Sequence, residues 1–113
     1  MEITTRDCND VKVVYFKGRI VYDTEEIVKH ETEKLVKGPV KNLVFNFGEL
    51  TYINSSGLGL LINVLKQIRA AKGDVKLSNL RPELMELFKI TSLNSVFDIS
   101  SDEETAVNKF IKK

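Results

Sequence analysis

Two adjacent serines, Ser55 and Ser56, are the side chains of this sequence best placed for chemistry. They follow a β-rich apolar stretch that ends at Ile53, and an apolar run with helical character begins at Leu58. Such a change through a polar turn predicts the start of a helix, where backbone N–H groups lack partners within the helix. The sequence therefore predicts two hydroxyl groups at a helix N-terminus.

A purely structural role is the simplest interpretation of this turn. Asn54, Ser55 and Ser56 are all residue types favoured at helix N-caps, because their side-chain oxygens accept a free backbone N–H. Any one of the three would start the helix in this way without a further function.

Two turns with known chemistry do not fit the spacing. The nucleophile elbow of hydrolases, Gly-x-Ser-x-Gly, needs a glycine two residues before the serine, where this chain has Ile53 or Asn54. The one histidine, His30, precedes the serines. A phosphate-binding P-loop continues from its last glycine into Lys and Ser or Thr, whereas leucines follow Gly59. We therefore expect that the protein is not an enzyme.

A regulatory phosphorylation site fits the same turn. A phosphoserine adds roughly −1.5 to −2 charges and three acceptor oxygens. At a helix N-terminus a negative charge is favourable by about 0.3–1 kcal/mol, so the fold should be little changed. At a contact with another protein, a mismatched charge costs on the order of several kcal/mol. Phosphorylation here should therefore change binding far more than shape.

Composition excludes several other classes of function. The 113 residues predict one domain, 1–113, and the formal net charge of +1 gives no reason to expect a nucleic acid partner. One cysteine, Cys8, and one histidine predict neither a disulfide nor a metal site. The sequence shows neither a signal peptide nor a membrane-spanning run. We expect a cytoplasmic protein without cofactors and without membrane insertion.

Hydrophobic patterning predicts the element order β-β-α-β-α-β-α-β-α, typical of a mostly parallel sheet with an antiparallel entry. The predicted strands are an edge strand at 1–7, then 11–16 ended by Gly18, then 40–47, 75–77 and 96–99. The strand at 40–47 does not alternate with polar residues, which predicts a central strand covered on both faces.

Four helices connect or follow these strands. Asp23 or Thr24 should cap the first, Pro82 should open the third, and Lys109, Lys112 and Lys113 suit the negative end of the last. The side chains predicted to face the core are Ile27, Val28, Thr32, Leu35 and Val36 in the first helix, Leu58, Leu61, Ile62, Leu65 and Ile68 in the second, Leu84, Leu87 and Phe88 in the third, and Ala106, Val107, Phe110 and Ile111 in the last.

The residues around the turn resemble a known family. The stretches 43–47 and 50–53, followed by Asn54-Ser55-Ser56-Gly57-Leu58-Gly59 and a helix, resemble the anti-sigma-factor antagonists of the STAS domain family. The likeness extends to 18–20, 73–77 and 84–97. Its most specific part is Ser55-Ser56-Gly57-Leu58-Gly59 directly after an apolar strand.

The resemblance implies an α/β fold, a single STAS-like domain with a mixed, mostly parallel sheet of four to five strands and about four packed helices. It also implies partner switching. In this family the unmodified antagonist binds an anti-sigma factor, often a serine kinase, and a sigma factor is freed for transcription. The kinase uses its own ATP and magnesium to phosphorylate the first serine, and a phosphatase resets the antagonist.

Carried onto this chain, the resemblance makes Ser55 the phosphoacceptor. The predicted partner-binding residues are Asp23, Asn54, Ser56, Gly57, Leu58, Gly59 and Leu60. We expect one of Leu58 and Leu60 to face outward beside Ser55 as an anchor for the partner.

Two positions depart from the family pattern. Asn54 stands where the family usually has Asp, and Val21 stands where many members have an Asp after the Gly-x-[Leu/Ile] motif in the second strand. Asp23 would supply a charge nearby. Asn54 keeps a capping side chain and gives up a negative charge. The alternative function is therefore a STAS scaffold that is never phosphorylated, such as a soluble subunit of a transport or signalling assembly.

Overall fold

The computed structural model describes residues 1–111, which form one five-stranded sheet flanked by helices. The strands are β1 Glu2–Cys8, β2 Val11–Ile20, β3 Asn42–Ile53, β4 Asp74–Ser78 and β5 Asp98–Ser100. Their order in the sheet is the same as their order in the chain. β1 pairs antiparallel with β2, and the remaining neighbours pair in parallel. The predicted α/β architecture, with its antiparallel entry, is confirmed.

Four α-helices alternate with the strands after β2 in the predicted order. They are α1 Glu25–Lys37, α2 Ser55–Ala70, α3 Pro82–Ile90 and α4 Glu103–Ile111, and short 3-10 turns occupy Tyr22–Thr24 and Leu93–Ser95. Buried side chains of α1, α2 and α3 share one core on one face of the sheet, whereas those of α4 pack on the other face. Lys112 and Lys113, predicted at the end of the last helix, lie outside the described residues.

β3 is buried on both faces, as its unbroken apolar run predicted. Leu43 and Phe45 belong to the core beneath α1, α2 and α3, and Val44 belongs to the core beneath α4. The rings of Phe16, Phe45 and Phe47 pack against one another, with centroids 5.0–6.3 Å apart. This aromatic cluster lies at the centre of the larger core.

The predicted ends of two strands are wrong, and both strands are longer. β2 passes through Gly18, which has φ +124°, a conformation that side chains disfavour, and the pairing with β3 shifts register on either side of it. The glycine therefore bends the strand without ending it. β3 continues past Phe47 to Ile53 because it stays paired with this extended β2.

The start of α1 also differs from the prediction. Thr24 is the N-cap residue by position, but its hydroxyl turns back, accepting the Val21 N–H at 2.9 Å and donating to the Arg19 carbonyl at 2.7 Å. Asp23 lies exposed in the preceding 3-10 turn. The threonine side chain therefore stabilises the turn that leads into α1.

Three predicted burial or strand positions are wrong. Ile27 is exposed because its neighbour Val28 faces the sheet, and a step of one residue turns a helical side chain by about 100°. Ile111 is exposed at the last residue of α4. Val96 is exposed and precedes β5, since the 3-10 turn Leu93–Ser95 takes up that stretch. The other predicted core positions are buried or half-buried, and Val64 joins them.

Candidate functional site

The site lies where β2 and β3 end side by side. Ile20 pairs with Ile53, and the Asn54 N–H donates to the Ile20 carbonyl oxygen at 2.9 Å. α2 begins at the following residue, Ser55. The predicted juxtaposition of a buried strand and a new helix at the serine pair is therefore present, and it stands at the carboxyl end of the parallel strands.

Asn54 caps α2, and the two serines do not share that role. The Asn54 Oδ1 accepts the Gly57 N–H at 2.7 Å, and the Asn54 carbonyl accepts the Leu58 N–H at 3.0 Å. Ser55 and Ser56 are the first two residues of the helix, and both are exposed. The structural interpretation of the turn thus applies to Asn54 and leaves the serine hydroxyls at the surface.

A contact from α1 explains why asparagine suits position 54. The Asn54 Nδ2 donates to the Glu25 carboxylate at 2.8 Å. An asparagine offers one acceptor for the helix and two donors for the carboxylate, whereas an ionised aspartate offers acceptors alone. Glu25 also keeps a negative charge next to the turn. The sequence did not predict this contact, since the two residues are far apart in the chain.

The remaining predicted partner-binding residues lie in two layers. Asp23, Ser56 and Gly59 are exposed, and Leu60 is half-buried. Gly57 and Leu58 are buried, with Leu58 only 8% exposed. Leu60 is therefore the more accessible of the two leucines, and Leu58 anchors the first turn of α2 to the core.

The packing of the domain requires a glycine at position 57. A β-carbon at this position would lie 2.6 Å from the Ile20 Cγ2 and 2.9 Å from the Ile53 Cγ1, closer than real contacts of this kind. The absence of a side chain lets α2 start directly against the ends of β2 and β3. Gly57 thus sets the position of Ser55 relative to the sheet.

Two exposed tyrosines near the serines were not predicted. Tyr22 is 86% exposed just after β2, and Tyr52 is 51% exposed near the end of β3. Because Ile20 pairs with Ile53, both tyrosines lie at the same end of the sheet as Ser55. Ile53 packs in the core beneath α2, so the preceding Tyr52 projects from the opposite face of the sheet. We call the group Tyr22, Asp23, Ser55 and Ser56 the serine surface. Its exposed aromatic side chain is typical of protein contacts.

Within residues 1–111, no helix is both long and apolar enough to span a membrane. The same residues contain no group of three or more His, Cys, Asp or Glu side chains arranged to hold a metal ion.

Comparison with known proteins assigns the fold to a family. A family model described as the STAS domain matches residues 2–106. The chain belongs to the STAS domain family. A relative from Listeria monocytogenes, the anti-sigma-B factor antagonist, is 30% identical over 105 residues, which cover 91% of this chain and 90% of the relative. The resemblance to anti-sigma-factor antagonists is confirmed.

Solved structures show the same fold at low sequence identity. SpoIIAA, an anti-sigma factor antagonist, in its unphosphorylated form superposes with a TM-score of 0.81 at 20% identity, covering 99% of this chain and 98% of SpoIIAA. SpoIIAA in its phosphorylated form gives a TM-score of 0.72 at 21% identity, covering 96% and 99%.

Proposed function

We propose that this chain is an anti-sigma factor antagonist that binds an anti-sigma factor while Ser55 is unmodified. Phosphorylation of Ser55 then releases it. The observation that carries the proposal is the position of Ser55. It is the first residue of α2 and is exposed, while Asn54 provides the cap. The relatives named as anti-sigma factor antagonists, and the phosphorylated form of SpoIIAA, support the same function.

The fold should tolerate a phosphate at this position. The free backbone N–H groups at the start of α2 and the positive end of the helix dipole favour a negative charge. The cap bond between Asn54 and Gly57 does not involve the Ser55 side chain. Phosphorylation should therefore leave the domain folded.

Binding should be far more sensitive to the phosphate than folding. Tyr22 offers exposed aromatic area at the same end of the sheet, which a partner would cover together with Ser55. A phosphate enclosed there would lose its water and would lie near the Glu25 carboxylate that holds Asn54. Because each 1.4 kcal/mol changes affinity about tenfold, a modest mismatch is enough for release.

The partners in this proposal divide the chemistry among them. The anti-sigma factor acts as the serine kinase and brings ATP and magnesium, and a separate phosphatase removes the phosphate. The antagonist contributes the serine and the contact surface, which includes Ser56, Gly59 and Leu60. Leu58 and Gly57 support this surface from the buried side of the helix.

The test combines phosphorylation with binding. Each serine kinase of the anti-sigma-factor type encoded in the source genome is incubated with the purified chain, ATP and magnesium, and the product is analysed by peptide mass spectrometry. We expect one phosphate on Ser55, lost in Ser55→Ala and kept in Ser56→Ala. Ser55→Asp should weaken binding at least tenfold with little change in melting temperature. A large fall in melting temperature would instead give Ser55 a structural role.

The alternative is a STAS scaffold that is not phosphorylated. Two residues support this alternative. Val21 and Asn54 have uncharged side chains where the family pattern has Asp, and the side chain of Val21 is also half-buried. Co-purification with a component of a membrane transporter, together with an unmodified Ser55 after treatment with every kinase, would favour this alternative.

A further inference from the structure

The two glycines at the start of α2 are present for different reasons. Gly57 lacks a side chain because Ile20 and Ile53 occupy the space where a β-carbon would stand. Gly59 is exposed, and apart from its two chain neighbours and the backbone of its own helix, a β-carbon built there meets no atom of residues 1–111 within 4 Å. Its backbone is helical, within α2, where glycine is less favourable than alanine. The domain's own packing therefore does not account for Gly59.

Gly59 lines a groove between α1 and α2. The groove has a volume of about 290 Å³, and it begins at Ser56, next to Ser55. Val36, Leu60 and Val64 form its apolar part. Lys29 and Glu33 of α1 face Asn63 and Gln67 of α2 across it.

We propose that Gly59 is the point of closest approach of the anti-sigma factor to α2, and that an apolar side chain of this partner fills the groove between α1 and α2. This inference rests on the proposed function, because the groove continues the surface that contains Ser55. The inference adds to that function the groove that holds the anti-sigma factor, and the apolar character of the side chain that enters the groove.

The composition of the groove indicates an uncharged occupant. α2 carries no ionisable side chain from Ser55 to Leu65, and the α1 side offers one positive and one negative charge, Lys29 and Glu33. An apolar floor with polar edges is typical of the pocket that receives a buried anchor residue. The volume lies just below the roughly 300–1,000 Å³ of small-molecule pockets, which suits one large side chain.

A β-carbon at position 59 should act oppositely on stability and on binding. In the free domain, alanine enters open space and improves the helix. In the complex, the added carbon stands between α2 and the partner group. Gly59→Ala should therefore raise the melting temperature while it weakens the complex.

Thermal unfolding of the free chain tests the first half. We expect Gly59→Ala to raise the melting temperature by about 3–5 °C. Gly57→Ala is the matched variant, and it should lower the melting temperature because of the contacts with Ile20 and Ile53. A lower melting temperature for Gly59→Ala would overturn the inference, since it would show a structural cause for that glycine.

Binding tests the second half, by calorimetry with the purified anti-sigma factor that phosphorylates Ser55. We expect Gly59→Ala to weaken affinity at least tenfold, and Lys66→Ala, an exposed change elsewhere on α2, to leave it unchanged. Full affinity of Gly59→Ala, beside loss of binding in Ser55→Asp, would overturn this inference and leave the proposed function standing. If the wild-type chain binds none of the anti-sigma factors, both fail.

Discussion

The two faces of the sheet are stabilised by different interactions. On the face covered by α1, α2 and α3, large apolar side chains such as Phe45, Leu61 and Phe88 are almost fully buried. On the face covered by α4, the apolar cluster is small and consists of Val11, Val13, Val44, Ala106 and Val107. Ion pairs and hydrogen bonds attach the rest of α4. The helix that carries Ser55 therefore rests on the rigid, apolar face.

Glu103 is the centre of the polar contacts beneath α4. Its carboxylate pairs with Arg6 and accepts hydrogen bonds from the Tyr15 hydroxyl at 3.1 Å and the Asn46 Nδ2 at 2.9 Å. At the other end of α4, Lys109 pairs with Asp98 at 2.6 Å. Ion pairs and hydrogen bonds thus attach α4 to the sheet, whereas hydrophobic contacts attach α2.

A row of polar side chains crosses the sheet under α4. Tyr15, Asn46, Ser78 and Ser100 are register partners on β2, β3, β4 and β5. The buried hydroxyls of Ser78 and Ser100 lack a hydrogen-bond partner within the described residues. This row limits how much apolar area the second face can bury, so the two faces should respond differently to the same perturbation.

The largest difference should follow from truncation in the apolar core. Phe45→Ala removes a fully buried ring that packs 5.0 Å from Phe16, and should lower the free energy of unfolding by about 3–5 kcal/mol. Urea unfolding measures the change. A loss below about 1 kcal/mol would contradict the assignment of the main core to this face.

Removal of the Glu103 carboxylate should have the next largest effect. Glu103→Ala leaves Asn46 and Tyr15 without their acceptor, so the free energy of unfolding should fall by about 1–3 kcal/mol. Urea unfolding at low and high salt is the measurement. Salt should reduce the effect of Glu103→Ala and leave that of Phe45→Ala unchanged. Equal salt dependence of both variants would remove the distinction between the faces.

A smaller effect is expected where a charge is added next to the serine surface, at Asn54. Asn54→Asp replaces the donor to Glu25 with a second carboxylate, and should destabilise the domain by about 1 kcal/mol. Adding Glu25→Gln should restore most of that loss, because the glutamine amide can donate to Asp at position 54. A double variant as unstable as Asn54→Asp alone would argue against the Glu25 contact. Thermal unfolding compares the single and the double variant with the wild type.

The smallest expected effect is a dependence on pH that originates at α4. Burial raises the pKa of Glu103, but hydrogen bonds from Arg6, Asn46 and Tyr15 lower it by more, so the net pKa lies below its ordinary value. The pKa of Asp98 is likewise lowered, since hydrogen bonds from Lys109 and Lys76 outweigh its burial.

A carboxylate whose pKa is lower in the folded state stabilises the fold above its unfolded pKa, and this contribution is lost as pH falls through the folded value. Unfolding free energy should therefore decrease as the pH falls below about 4.5, the ordinary range of these groups. Glu103→Gln should show a flatter decrease in urea titrations between neutral and acidic pH. The same slope as wild type would show that Glu103 does not contribute.

Local patterns predicted the parts of the structure that depend on local causes. The order of elements, the central position of β3 and the opening of α3 at Pro82 follow from periodicity and from proline's fixed geometry. The end of β2 did not, because pairing with β3 carries the strand through Gly18.

At the candidate site, the sequence located the turn and the exposed serine but not their surroundings. The Glu25 contact depends on how α1 lies beside α2, and the exposure of Tyr22 depends on a 3-10 turn that patterning did not predict. The sequence alone does not distinguish the reason for a glycine at position 57 from the reason for one at position 59. The difference becomes visible only in the structure, where side chains lie close to Gly57 and none lies close to Gly59.

The agreement between strand order and chain order has a consequence for synthesis. Each strand pairs with the one before it, so no strand has to insert between two that are already joined. The sheet can therefore grow along a single edge as the chain leaves the ribosome. Until β4 is synthesised, the backbone N–H and C=O groups along one edge of the apolar strand β3 stay unpaired. Unwanted strand pairing with other chains is most favoured at this stage.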